Sequence, residues 1–177
     1  MPDLGLSPAL VAVVFALLSA ALWGMSDFGG GLLGRRAPII GVLLVTQAIG
    51  LVIAVSLTGL RAEPMMGGRD VLLALGGAIL ASVGVGCLYR GLAVGRMGIV
   101  APVAAVLTAV TPALIGIVLE GLPSALVIVG FGVAIVAVVI VSAAPDDGSS
   151  PSGVRYALLA GVALGLLSFD FSRISLA

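Results

Sequence analysis

Several residue types are scarce or missing in this chain of 177 residues. Histidine is absent, which removes the commonest metal ligand and the usual proton shuttle. Cys87 is the only cysteine, so an intrachain disulfide and a CxxC metal site are both excluded. Lysine is also absent, and the basic and acidic residues balance at eight each. Since no basic stripe is left to bind phosphates, we expect neither a metal site nor a nucleic-acid partner.

The short motifs of common enzyme and nucleotide sites are missing as well. The sequence has no glycine-rich loop of the Walker type and no HExxH, which argues against a built-in ATPase and a zinc protease. Asp27 and Asp170 fall in apolar stretches, but neither lies in a GxGD motif of an aspartyl protease. We therefore expect that the protein is not an enzyme and that it carries no cofactor.

Charged residues make up only 9% of the chain, and they stand between long uncharged runs. A bilayer core of about 30 Å needs roughly 20 apolar residues of helix to cross it. Five runs reach 19 to 24 residues and a shorter sixth begins at Tyr156; the five cover residues 4–26, 37–60, 71–89, 97–119 and 121–144. None alternates in polarity as a membrane strand would. The sequence predicts an all-α, polytopic membrane helix bundle with five full transmembrane helices plus a short or partial sixth.

Turn-forming residues mark the connections between the predicted spans. Residues 29–31 are all glycine and, with Arg35 and Arg36, predict the first turn, after which Pro38 opens the second span. The other connections are the polar stretch 61–70, the short stretch 90–96 and the tight turn 120–123. The third span also carries small residues at helical spacing, among them Gly77 and Gly84, which predicts close helix packing.

After a linker rich in Pro, Asp, Gly and Ser, the sequence partly repeats itself. At an offset of 141 residues, the Ala-Leu-Leu of residues 16–18 recurs at 157–159, Gly24 matches Gly165 and Phe28 matches Phe169. An odd number of spans per unit would place two such units in opposite orientations, as in many transporters. We predict a five-helix repeat over residues 9–143, a polar linker over 144–153 and the start of a second, truncated repeat over 154–177.

Asp27 is an ionisable residue near the far end of the first span, close to Trp23 and Ser26. An ionisable group within a span is energetically costly, which favours a position facing an aqueous or substrate cavity. Alternatively, Asp27 lies at the headgroup level, because three glycines follow at once, and Trp23 belongs to the interfacial aromatic belt. Asp170 poses the same question. If the sixth span crosses the bilayer, the two aspartates lie on opposite faces and cannot form one site.

The fourth span contains Pro102 and Pro112, with Thr108 between them. Proline removes a backbone donor, and such breaks are tolerated in membranes where they are buried or line a cavity. Pro102 can instead occupy the first turn, whereas Pro112 is mid-span and predicts the stronger kink. Tyr89, at the end of the third span, fits an interfacial anchor as well as a ligand site. The candidate substrate-pathway residues are Trp23, Ser26, Asp27, Tyr89, Pro102, Thr108 and Pro112.

Four short motifs occur in a fixed order along the chain. They are Trp23-Gly24 followed by Phe28; the Leu-Tyr-Arg-Gly-Leu-Ala of residues 88–93; the Ile-Val-Ala-Pro-Val of residues 99–103; and the Leu-Glu-Gly of residues 119–121, followed by Gly130 and Gly132. In order and spacing they resemble the EamA-type transporters of the drug/metabolite transporter superfamily. The resemblance covers residues 10–142 as one five-helix unit.

The resemblance implies a carrier of two inverted five-helix units that moves small metabolites without ATP. It also implies a central cavity lined by the first, third and fourth helices of each half, here with Trp23, Ser26, Tyr89, Pro102 and Thr108. The family places its N-terminus in the cytoplasm. Five of the eight arginines, however, lie on the side of connections 1–2, 3–4 and 5–6, which favours an external N-terminus. Both orientations stay open.

We therefore expect a multi-pass carrier in the plasma membrane of a bacterium, with the lipid bilayer and a small-molecule metabolite as its partners. Four of the ten helices that the resemblance implies are missing. We expect either an inactive, truncated fragment or a chain that pairs as a homodimer to rebuild the pathway. The alternative from another functional class is a membrane scaffold or assembly partner that transports nothing.

Overall fold

The computed structural model describes residues 7–61, 67–142, 152–171 and residue 173. Within these ranges the chain forms six α-helices and no strand. The helices are α1 (Pro8–Leu33), α2 (Ile39–Arg61), α3 (Gly68–Val94), α4 (Met97–Glu120), α5 (Ala125–Ser142) and α6 (Ser152–Phe171). This confirms the predicted all-α bundle.

Five of these helices are long and apolar enough to cross a membrane, as predicted, but they are not the five expected. They are α1 to α4 and α6, whereas the apolar helix Ala125–Ile140 within α5 is shorter. The sixth apolar run looked short because it was counted between Arg155 and Asp170, yet both residues lie inside α6. Its 20 residues span about 30 Å at the rise of an α-helix. The protein is a multi-pass membrane protein.

The glycines at 29–31 lie inside α1, so the prediction of a turn there is wrong. Ser7 caps the helix by accepting a hydrogen bond from the backbone N–H of Leu10 at 3.3 Å, and the helix continues through the glycines to Leu33. The turn lies in residues 34–37 instead. After it, the Pro38 carbonyl accepts from the N–H of Val42 at 3.2 Å as α2 begins.

Gly30 and Gly31 bring α1 close to α3 rather than bending it. A methyl group on Gly30 would overlap the ring of Tyr89, and one on Gly31 would lie 2.6 Å from Cβ of Leu92. Small residues let membrane helices approach closely. The physical reason for these glycines is therefore a helix–helix contact, which sequence inspection cannot distinguish from a turn.

The connections around α4 are short. The predicted connection over residues 90–96 is mostly helical, because α3 continues to Val94 and only Gly95 and Arg96 separate it from α4. At the other end, Gly121 has φ +96° and donates its N–H to the Ile117 carbonyl at 3.1 Å. That backbone conformation favours glycine, and the predicted tight turn between α4 and α5 is confirmed.

Helix α6 fills the groove between α3 and α4. Gly153 lies against Gly95 at one end, and Asp170 lies near Gly77 at the other, so α6 runs antiparallel to α3. The core is the cluster where the three helices meet: Leu88, Tyr89, Leu92, Val100, Val103, Ala104, Ala157 and Ala160. The predicted close packing of α3 is confirmed at Gly77 and Gly84, where added methyl groups would meet side chains of α6.

The face of α6 that enters this groove consists of small residues spaced four apart. They are Gly153, Ala157, Gly161 and Gly165, and all four are buried. A methyl group on Gly165 would lie 2.5 Å from Cβ of Thr111, and one on Gly161 would lie 2.8 Å from the Ala104 carbonyl oxygen. Because nothing larger than these residues fits, the small-residue face fixes α6 against α4.

Candidate functional site

A cavity of about 460 Å³ lies between α1, α3, α4 and α6. This volume is within the usual range for small-molecule sites, about 300–1,000 Å³. Most of its walls are apolar, from Val85, Leu88 and Leu92 of α3, Ala101, Ala104 and Ala105 of α4, and Leu164, Leu167 and Phe171 of α6. Its four residues with polar groups are Trp23, Asp27, Thr108 and Ser168.

Helical spacing brings these side chains to one place. Trp23 and Asp27 are four residues apart and therefore share one face of α1. Thr108 follows Ala104 at the same spacing on α4, and Ser168 follows Leu164 on α6. The alanines of α4 leave the space that larger side chains would fill. The cavity is thus a consequence of which faces of four helices meet.

Asp27 lies well inside α1 rather than at its end. The helix continues for six residues beyond it, to Leu33, which is about 9 Å along the helix axis. The headgroup interpretation assumed a turn directly after Asp27, and that assumption is wrong. The side chain is partly buried and lines the cavity. Within the described ranges it has no hydrogen-bond or ion-pair partner.

The two hydroxyl groups of the cavity have already used their hydrogens. Thr108 Oγ1 donates to the Ala104 carbonyl at 2.9 Å, and Ser168 Oγ donates to the Leu164 carbonyl at 3.0 Å. A hydroxyl has one hydrogen and two lone pairs. Both side chains therefore offer only acceptor capacity to a bound molecule.

Three of the seven predicted pathway residues line this cavity, namely Trp23, Asp27 and Thr108. The other four, Ser26, Tyr89, Pro102 and Pro112, do not contribute to its walls. Tyr89 is only 5% exposed, because its ring packs on Gly30 in the core. Pro102 is the sixth residue of α4 and lies beyond its first turn.

Pro112 contributes to the contact between α4 and α6. It has no N–H, so the Thr108 carbonyl four residues earlier lacks its helical donor. A methyl group on Gly165 would lie 3.1 Å from that carbonyl oxygen, which shows how closely α6 approaches it. The helix is continuous through the proline. The freed carbonyl therefore lies against α6.

Sequence reasoning missed the contribution of α6 to the site, because the sixth span was taken as a stub. The repeat itself could have revealed it. The offset of 141 residues places Trp23 on Leu164 and Asp27 on Ser168, and all four residues line the same cavity. Helices α1 and α6 thus contribute equivalent positions to one site.

Asp170 does not belong to this cavity. It lies near Gly77, and its Oδ2 atom is buried without a hydrogen-bond partner in the described part of the chain. Asp27 lines the cavity together with Leu88 and Leu92, one to two helical turns from the opposite end of α3. The two aspartates do not form one site, as the prediction for a sixth helix that crosses the membrane requires.

The cavity is open on one side. Trp23 on α1 and Phe171 on α6 both line it, yet they are 63% and 55% exposed. Helix α1 packs mainly on α3, and α6 packs on α3 and α4. The six helices therefore leave the space between α1 and α6 uncovered.

The chain matches no protein-family model, and neither a curated protein nor a solved structure is significantly similar to it. Membership of the multi-pass membrane proteins rests on the length and apolar composition of its helices. Function has to be argued from the geometry of the cavity.

Proposed function

We propose that this protein is a carrier of the EamA type that moves small metabolites across a bacterial plasma membrane. The observation that supports this most directly is a carboxylate, Asp27, in a largely apolar cavity inside a membrane-spanning bundle. Ionisable residues within spans are rare and usually face a substrate pathway or a water-filled cavity. A scaffold would have no use for such a group at that position.

The relation between α1 and α6 supports the same proposal. The two helices are related by the repeat offset, and they run in opposite directions because α1 is parallel and α6 antiparallel to α3. Both contribute equivalent positions to the cavity. Inverted repeats with the solute site at their interface are typical of secondary transporters.

The small residues of α1 and α6 indicate that a second unit completes the pathway. The buried small-residue face of α6 aligns with Ala12, Ala16, Ala20 and Gly24 of α1, which are all exposed. A methyl group on Gly24 would meet nothing within 4 Å. Since repeat-related faces serve the same packing role, the α1 face fits helices equivalent to α3 and α4. We infer that a second copy can supply them in a homodimer.

Transport can be tested without knowing the substrate in advance. Proteoliposomes containing the purified chain are loaded with a low-molecular-mass extract of bacterial cells, and mass spectrometry identifies which solutes leave. We expect a small set of metabolites to leave faster than from protein-free liposomes. Trp23→Ala should slow their efflux, because Trp23 lines the cavity at its open side.

Phe15→Ala is the matched control. Phe15 is an aromatic residue of the same helix and is 69% exposed, but it does not line the cavity. Efflux that falls with Trp23→Ala and persists with Phe15→Ala supports a carrier. If folded protein releases no solute faster than empty liposomes do, the carrier proposal is wrong and the scaffold alternative gains support.

A further inference from the structure

We propose that the cavity binds a primary ammonium ion carried on an apolar body. This inference rests on the proposed function and names its substrate class. Asp27 is the only charged residue that lines the cavity, and no arginine reaches its walls. A carboxylate in apolar surroundings is stabilised by a cation, and within the described chain none is present there. The bound molecule is the natural source of that charge.

The hydrogen-bonding groups of the cavity point to N–H donors on the ligand. Asp27 as a carboxylate only accepts hydrogen bonds. The hydroxyl hydrogens of Thr108 and Ser168 are held by the carbonyls of Ala104 and Leu164, so these oxygens also act as acceptors. The only side-chain donor left is the indole N–H of Trp23. An ammonium group with three hydrogens fits such an acceptor-rich site.

The walls of the cavity define the remainder of the ligand. Alanine, valine, leucine and phenylalanine side chains surround the polar groups, and such surfaces favour an alkyl or aryl body. Trp23 at the open side adds the aromatic residue that attracts cations best. A volume of about 460 Å³ accommodates a small aromatic amine rather than a macromolecule.

Anions and zwitterions fit this site poorly. A carboxylate or phosphate on the ligand would be repelled by Asp27 and would find one neutral indole N–H as its donor. A buried charged group without partners is strongly disfavoured. The cavity should therefore reject free amino acids, because their carboxylate would stand unpaired beside Asp27.

Trp23 allows binding to be measured directly, since it is the only tryptophan of the chain and it lines the cavity. The purified protein in detergent micelles is titrated with 2-phenylethylammonium while Trp23 fluorescence is recorded. Three probes share its aromatic body: 2-phenylethanol is neutral, phenylethyltrimethylammonium has no N–H, and 3-phenylpropionate is an anion. We expect the primary ammonium to bind at least about tenfold more tightly than each, as for hydrogen bonds that involve charged groups.

Two variants show whether the assigned carboxylate is responsible. Asp27→Asn should remove the preference for the ammonium over the alcohol. Glu120→Gln removes one negative charge from an exposed position outside this cavity and should leave that preference unchanged. Circular dichroism confirms that both variants fold. Equal binding of ammonium and alcohol by the native protein overturns the proposal, and so does an unchanged preference in folded Asp27→Asn.

Binding and transport fail separately. If proteoliposomes release metabolites but fluorescence shows no preference for the ammonium, the carrier proposal stands and the substrate class is wrong. If the ammonium binds selectively but no solute moves, the cavity is a cation-binding site in a protein that is not a carrier. Equal affinity for the primary and the trimethyl ammonium overturns the role assigned to the acceptor oxygens.

Discussion

Gly165 and Gly24 occupy equivalent positions in α6 and α1, and replacing each by alanine should have different effects on stability. The new methyl group on Gly165 would lie 2.5 Å from Cβ of Thr111 and 3.1 Å from the Thr108 carbonyl oxygen. Neither atom is at the end of a flexible side chain, so α6 has to move away from α4. The same methyl group on Gly24 would meet nothing within 4 Å.

The pair isolates the packing contribution to the free energy of unfolding. Replacing glycine by alanine inside a helix favours the helix by up to about 1 kcal/mol, and this gain is common to both variants. Overpacking a close contact costs about 1–3 kcal/mol, and only Gly165→Ala incurs it. The two variants should therefore differ by about 1–3 kcal/mol, with Gly165→Ala the less stable.

The measurement is equilibrium unfolding in mixed micelles, in which SDS is titrated into a mild detergent. Circular dichroism reports the helix content, and Trp23 fluorescence reports the surroundings of the cavity. Both variants are compared with the native chain at high dilution, where copies are separated. Gly24→Ala should then unfold at the same or a higher SDS fraction, and Gly165→Ala at a lower one.

Equal stability of the two variants would refute the placement of α6 in the groove between α3 and α4. A loss of stability for Gly24→Ala alone would show that the α1 face, rather than the α6 face, carries the contact. A destabilisation of Gly24→Ala that grows with protein concentration would instead report the second copy proposed for α1.

Three further outcomes test the packing and the topology. Tyr89→Ala should cost about 3–5 kcal/mol, as for other buried aromatic residues, whereas Tyr89→Phe should cost much less, as unfolding in mixed micelles can measure. Gln47→Leu removes a donor to Ser82 Oγ at 3.3 Å, and we expect a loss of about 0.6 kcal/mol in the same assay, the average for membrane hydrogen bonds. Single cysteines replacing Arg36 and Glu120, in a background without the native thiol, should be labelled by a membrane-impermeant maleimide from opposite sides, because α4 runs back from the side on which α1 ends; labelling from one side would contradict the fold.

The helices themselves could largely be predicted from the sequence. Long uncharged runs identify spans because lipid offers backbone groups no hydrogen-bond partners, and this reasoning found six helices and the tight turn at Gly121. It failed at residues 29–31, where glycine serves a contact with Tyr89 and Leu92. It also misjudged α6, because Arg155 and Asp170 near the ends of a span were taken as its limits.

The candidate site could be predicted only in part. Trp23, Asp27 and Thr108 were found because polar and aromatic residues are conspicuous in apolar helices. Ser168 was missed, although the repeat offset related it to Asp27. Tyr89 was predicted for the pathway, but its ring is in the core. Whether a side chain faces a cavity or a neighbouring helix depends on how the helix is rotated about its axis, which local sequence does not state.

The amino-acid sequence by itself determined that the chain lies in a membrane, that its helices are about one bilayer long, and that its first and sixth helices are related. These properties follow from composition and spacing, since burial of apolar segments in lipid depends on each segment alone. Only the tertiary structure decided that α6 enters the groove between α3 and α4, and that Asp27, Thr108 and Ser168 meet around one cavity. Those contacts join residues far apart in the chain, and they depend on how closely small side chains let the helices approach one another.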